Sequence, residues 1–193
     1  MRKLTYLVAC SIDGFIGDPG GDANSFMGYV DEEYLEFLTG EYPDTLPAEG
    51  RRALGLDGVA NKRFDTVIQG RGSYQLGLDA GEPSPYGHLR EIVASRTIEE
   101  SPHPNVEIVR DGIVERVREL KAEDGDLGIW LCGGSRIAGE LVDEIDELVI
   151  KTYPQVYGSG MPMFASGFAI GDFGLDAVRS FGNGVVVRWY SRR

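Results

Sequence analysis

The feature that most restricts the fold of this 193-residue chain is how its short apolar runs end. Leu4 to Cys10, Thr66 to Gln69 and Gly128 to Cys132 read as buried strands, being brief apolar runs bounded by turn residues. Two of them stop at glycines that lead straight into a helical pattern: Gly70-Arg71-Gly72-Ser73 and Gly133-Gly134-Ser135-Arg136. A strand followed at once by a helix is half of a parallel crossover, so these junctions call for a sheet with parallel strands.

The remaining pattern agrees. Asp31 to Leu38 reads as a helix with its acids in the first turn and Gly40 as its stop. Residues 41–63 are ambiguous, with one helix expected around Arg51 to Leu56. Ser73 to Leu78 and Ile137 to Val142 are expected helices. Ile113, Val114, Val117 and Leu120 mark one face of another, with Asp111 as its N-cap. Glu91 to Ala94, Val106 to Val109 and Glu147 to Thr152 read as further strands. Phe173 to Phe181 and Val185 to Tyr190 alternate, and Gly182-Asn183-Gly184 joins them as a hairpin. The expected architecture is one α/β domain over residues 1–193. A central, mainly parallel sheet is flanked by helices and closed by an antiparallel C-terminal β-hairpin.

Charge and composition narrow the partners. The formal charge is −12, which disfavours nucleic acid and anionic membrane surfaces. No apolar run approaches the length of a membrane span. Cys10 and Cys132 are too few for a disulfide scaffold. Leu7-Val8-Ala9-Cys10 has the look of a lipoprotein cleavage box, but its apolar stretch is too short for a signal peptide. A cytoplasmic location is expected. His88 and His103 lie in proline-flanked loops, and without a cysteine pair no metal site is expected.

Chemistry is expected at the carboxyl ends of the strands, where open α/β sheets bind ligands. Each glycine turn lets backbone N–H groups approach an anion, and the neighbouring Arg71 or Arg136 adds a fork of donors. The 27 glycines, about twice the usual share, thereby find part of their use. Gln75 breaks a dinucleotide fingerprint, no Gly-Lys-Ser/Thr occurs, and Ser135 lacks the glycine of a nucleophile elbow.

The order of motifs resembles the dihydrofolate reductase superfamily, and within it the bacterial group related to the reductase of riboflavin biosynthesis. The resemblance runs from Val8–Gly17 through Ile68–Tyr74, Ile92–Arg96 and Ile129–Arg136. It continues over Asp146-Glu147-Leu148, Tyr153-Pro154 and Gly158-Ser159-Gly160. It implies reduction of a small-molecule substrate with NADPH. Ala9 and Ile16 would meet the nicotinamide. Gly70, Arg71, Gly72 and Ser73 would hold phosphate. Ser95 and Arg96 would flank the adenosine 2′-phosphate, while Gly133, Gly134, Ser135, Arg136 and Ile137 would wrap the pyrophosphate. Asp31 is the implied catalytic carboxylate and proton donor, although it equally suits a helix cap. The segment from Asp18 to Gly28 is where a lid is expected.

Departures fall on the substrate side. The family's tyrosine after the Gly-Gly turn is Ala138 here, and a strand threonine is Lys151. The tryptophan and proline before the first long helix are missing. The arginine that clamps the folate glutamate has no clean match. The expected substrate is therefore a pterin-like or ribitylamino-pyrimidine-like heterocycle, not folate itself. The competing readings are a non-catalytic NADP(H) or nucleotide-binding protein of the same fold and an interaction domain with no ligand. A homodimer through edge strands or the hairpin is expected by analogy.

Overall fold

The computed structural model describes residues 1–101 and 103–193. In chain order the strands and helices are β1 (Leu4–Cys10), β2 (Phe15–Gly17), α1 (Glu32–Glu41), α2 (Ala48–Ala53), β3 (Phe64–Gly70), α3 (Arg71–Asp79), β4 (Arg90–Ala94), β5 (Val106–Val109), α4 (Ile113–Ala122), β6 (Gly128–Gly133), α5 (Ser135–Glu140), β7 (Glu147–Thr152), β8 (Met161–Pro162), β9 (Phe173–Ser180) and β10 (Val186–Arg192). Eight strands form one sheet in the order β5-β4-β3-β6-β1-β7-β10-β9. Its first six strands are parallel, while β10 and β9 run antiparallel at one edge. This is the expected α/β architecture.

Alternation along β1 divides the core. Leu4, Tyr6 and Val8 face one layer, where Ile113, Val117 and Leu120 of α4 and Ile137 and Ala138 of α5 are buried. Leu7 and Ala9 face the other, against Tyr34, Phe37 and Leu38 of α1, with Phe181 from the C-terminal hairpin. Both faces of β1 are covered, which explains why Leu4 to Cys10 is an almost unbroken apolar run.

Several local expectations need correction. Gly40 does not stop α1, which runs on to Glu41; an exposed glycine costs a helix only about 1 kcal/mol. The helix expected at Arg51 to Leu56 lies at Ala48–Ala53. Asp111 does not cap α4; the cap is Gly112 at φ +73°, a left-handed conformation that favours glycine. α5 starts at Ser135, directly after the glycine turn. The expected lid segment contains a 3-10 turn, Asn24–Tyr29, whose Phe26 is buried and stacks on Tyr153 at 4.6 Å.

Two features hold the loops to the sheet. Asp44 is fully buried, and its carboxylate accepts the backbone N–H groups of Lys62, Arg63 and Phe64 at the start of β3. A Cβ on Gly139 would sit 2.4 Å from the carbonyl oxygen of Ala165, so this contact needs a glycine. Asp44→Ala is expected to cost about 3 kcal/mol, because three N–H groups lose their acceptor. At about 2–4 °C per kcal/mol for a chain this long, thermal unfolding should fall by roughly 6–12 °C. Gly139→Ala should also lower the melting temperature, since backbone must move to admit the methyl group.

Candidate functional site

The parallel strands β3, β4, β5, β6, β1 and β7 all end on the same side of the sheet. Two of these ends touch. A Cβ on Gly70 would lie 3.3 Å from the Ile137 side chain, 3.5 Å from the Gly134 nitrogen and 3.6 Å from the Gly133 oxygen. The Ser73 hydroxyl lies 4.0 Å from where a Cβ on Gly134 would stand. Gly133 has φ +120°, and its peptide bond to Gly134 is cis. Thus Gly70, Ser73, Gly133, Gly134 and Ile137, far apart in sequence, meet around one notch. Any side chain on Gly70 would fill it.

Arg71 opens α3 and Arg136 lies in the first turn of α5, both exposed. Neither has a carboxylate within ion-pair distance among the described residues, unlike Arg2, Arg63, Arg90 and Arg116. In this acidic chain, two unpaired guanidinium groups beside a glycine-lined notch make an anion-attracting surface.

The row continues outward along the sheet. Gly70, Ala94 and Val109 align across β3, β4 and β5. Arg71, Ser95 and Arg110 are therefore the first residues beyond one register line, about 5 Å apart from strand to strand. Ser95 is buried, and its hydroxyl accepts the N–H groups of Thr97 and Ile98. Arg96 is exposed and lies 3.7 Å from Asp111. Arg110 donates to the Arg96 carbonyl at 3.3 Å. Sequence reading missed Arg110, although an arginine immediately after a strand was its available signal.

Ala9 and Ile16 lie near the carboxyl end of β1 and in β2. The turn between these strands is clamped to the segment before β8. The Asp13 carboxylate accepts the Ser11 hydroxyl at 2.6 Å, the Gly158 N–H at 2.7 Å and the Tyr157 N–H at 3.1 Å. These bonds, led by that from Ser11, hold its pKa down to about 2. β8 then pairs with β2, where a Cβ on Gly160 would sit 2.4 Å from the Gly17 oxygen. The Met161 sulfur lies 3.5 Å from where a Cβ on Gly134 would stand, so β8 reaches the glycine notch. Its two residues carry too little pattern to be read from sequence.

On the α1 face the geometry gives Asp31 a capping role. It is exposed, and its carboxylate accepts the Tyr34 N–H at 2.9 Å, as a helix N-cap does. The inward position of that turn is Tyr34, whose hydroxyl meets that of Tyr153 at 3.1 Å. Lys151 lies on this face beside Ala9. Desolvation lowers its pKa to about 8. Burial raises the Cys132 thiol to about 11.

With this geometry in view, known proteins give the fold a name. No family model matches the chain. It is 27% identical over 168 residues to the uncharacterized protein YwjB of Bacillus subtilis (strain 168), covering 84% of this chain and 83% of that protein. Among solved structures it superposes on a Shewanella sp. PV-4 protein named for riboflavin biosynthesis, with TM-score 0.70 and 24% identity, covering 100% of this chain and 99% of that one. It also superposes on the dihydrofolate reductase of Enterococcus faecalis, solved in complex with NADP(H), with TM-score 0.63 and 14% identity over 99% and 96% of the two chains. The chain has the dihydrofolate reductase-like fold. Its structural neighbours include reductases and a protein named for riboflavin biosynthesis.

The Asp13 clamp yields a test with a defined sign. Its folded pKa, about 2, is below the ordinary 3.8, so the clamp is complete above pH 3.8 and weakens as pH falls toward 2. Protection of the Tyr157 and Gly158 amides against hydrogen exchange, measured relative to their intrinsic rates at each pH, should fall across that window. Asp13→Asn, with a weaker acceptor, should show faster exchange at neutral pH.

Proposed function

We propose that this protein is an NADPH-dependent reductase that delivers hydride to a pterin-like or ribitylamino-pyrimidine-like heterocycle. One observation carries the cofactor reading: the meeting of the Gly70 and Gly133-Gly134 turns, with unpaired Arg71 and Arg136 beside them. A notch that a single Cβ would fill, edged by unpaired cations, fits a diphosphate. Gly70, Gly72, Ser73, Gly133, Gly134, Ser135 and Ile137 would line it. Arg71, Ser95, Arg96 and Arg110 would face the adenosine end, where a 2′-phosphate gives three guanidinium groups an anion to share. Ala9 and Ile16 would border the nicotinamide end. When bound, NADPH supplies the hydride; the protein supplies orientation and exclusion of water.

The fold neighbours support the reductase class, and the name of one supports the choice of heterocycle. Asp31, as a helix cap, drops out of the proposed acid chemistry.

Titration calorimetry with NADPH and NADH tests the adenosine end. Arg110→Ala should weaken NADPH by roughly tenfold or more, on the order of 1.4 kcal/mol for loss of a charge-assisted contact, and leave NADH nearly unchanged, whereas Arg71→Ala, at the edge of the diphosphate notch as well, should weaken both and NADPH the more. Equal binding of the two nucleotides by the unmodified protein would remove the 2′-phosphate assignment. Following NADPH oxidation with dihydropterins and aminopyrimidine intermediates of flavin synthesis then separates a reductase from a nucleotide-binding protein without turnover.

A further inference from the structure

The substrate side holds a cation where an acceptor is expected. In the order β6-β1-β7, the small Ala9 of β1 lies beside Lys151 of β7, with Cys132 of β6 on the other flank of β1. Ala9 and Lys151 are register partners, and Tyr6 opposite Leu131 puts Cys132 level with Leu7, two residues before Ala9 on the same face. Leu7, Val149, Tyr153 and Val187 complete the same face, so the floor around Ala9 is apolar. The short Ala9 side chain leaves Lys151 with only a methyl group as its neighbour on β1.

Among the described residues no carboxylate lies within ion-pair distance of the Lys151 ammonium, whereas Lys3, Lys62 and Lys121 each have one. Two acids on elements that pack around this layer are committed elsewhere. Asp31 caps α1, and Glu91 accepts from Ser84 and Gln69 inside the core. A partly buried, unpaired ammonium is costly to maintain, and a ligand oxygen is what would complete it. A lysine has three donors and no acceptor, so it cannot receive the N–H edge of an amidine.

We propose that Lys151 is the specificity-determining residue of the substrate pocket, selecting a small heterocycle that presents an anionic oxygen and rejecting one that presents an amidine edge. This rests on the reductase reading for the position of the pocket. The lysine's lowered pKa, about 8, keeps it mainly charged at neutral pH. The titratable groups of the layer on its side of the sheet are Cys132, with Tyr86 and Glu91 behind it, Tyr153 on its own chain segment, Tyr34 of α1, Tyr42 just after α1, and Tyr29 and Tyr157. Burial raises Cys132, Tyr86, Tyr153, Tyr34 and Tyr42 above the lysine, so between pH 7 and 9.5 Lys151 loses charge before they gain it.

The test is calorimetric binding of two matched probes, pyrimidine-4-carboxylate and pyrimidine-4-carboxamidine, to the full chain without nucleotide. The carboxylate should bind at pH 7, and Lys151→Met should weaken it at least tenfold. In the unmodified protein the same probe should weaken markedly at pH 9.5, which keeps the test decisive if the variant misfolds. The amidine should not bind. Absence of carboxylate binding at millimolar concentration, equal binding by Lys151→Met, or amidine binding as tight as the carboxylate's would each overturn the proposal. NADPH binding is measured on the same samples. Intact NADPH binding with no lysine effect removes only the role of Lys151. A lysine effect without NADPH binding removes only the cofactor reading.

Discussion

The candidate site depends on the approach of two adjacent strand ends to within van der Waals contact. Gly70 closes β3 and Gly133-Gly134 closes β6, and a Cβ on Gly70 would fill the space between them. Parallel strands lie about 5 Å apart. A Cβ on Gly70 would take up the space between the two turns, 3.3 Å from Ile137 and 3.5 Å from the Gly134 nitrogen, and Gly133 holds a φ of +120° that favours glycine. Glycine at these positions leaves a notch of backbone groups. The position of α3 over β3, the exposure of Arg71 and the nearness of Ser73 to Gly134 all follow from that contact.

The surrounding charges show why net charge is a poor guide to a local surface. The chain carries −12 overall, yet its paired Arg2, Arg63 and Arg90 stand at the amino-terminal ends of β1, β3 and β4, and Arg116 on α4, away from the notch at the carboxyl ends. Arg71 and Arg136 are left unpaired at the notch. Excess acid elsewhere does not screen them, because interactions between exposed charges fade beyond about 8–10 Å at ordinary ionic strength.

Sequence pattern resolved most of the main sheet, because each parallel strand is a short apolar run closed by a turn. It resolved the two glycine turns for the same reason. What it could not show depends on distant pairing or on small backbone choices. β8 is two residues long and exists because β2, about 145 positions earlier, lies alongside it. Asp111 and Gly112 are both reasonable helix starts, and only the backbone conformation decides between them. Asp31, Glu32 and Glu33 are equivalent in composition, but the first alone caps α1. Lys151 and Cys132 are separated by a strand that neither belongs to, so no local spacing relates them. Register does.

The central place of β1 has a temporal consequence. It is made well before its two sheet neighbours, β6 and β7, which lie more than 120 residues later. During synthesis Leu4, Tyr6, Leu7 and Val8 must wait with both backbone edges unsatisfied until three quarters of the chain has appeared. The sheet's middle therefore cannot close until β6 and β7 have both been made, with β10 and β9 still to come at the edge. Such late, long-range closure is slow and leaves an apolar strand open to wrong pairings in the interval. The β1 segment, buried on both faces once folded, is thus exposed for as long as β6 and β7 are unmade.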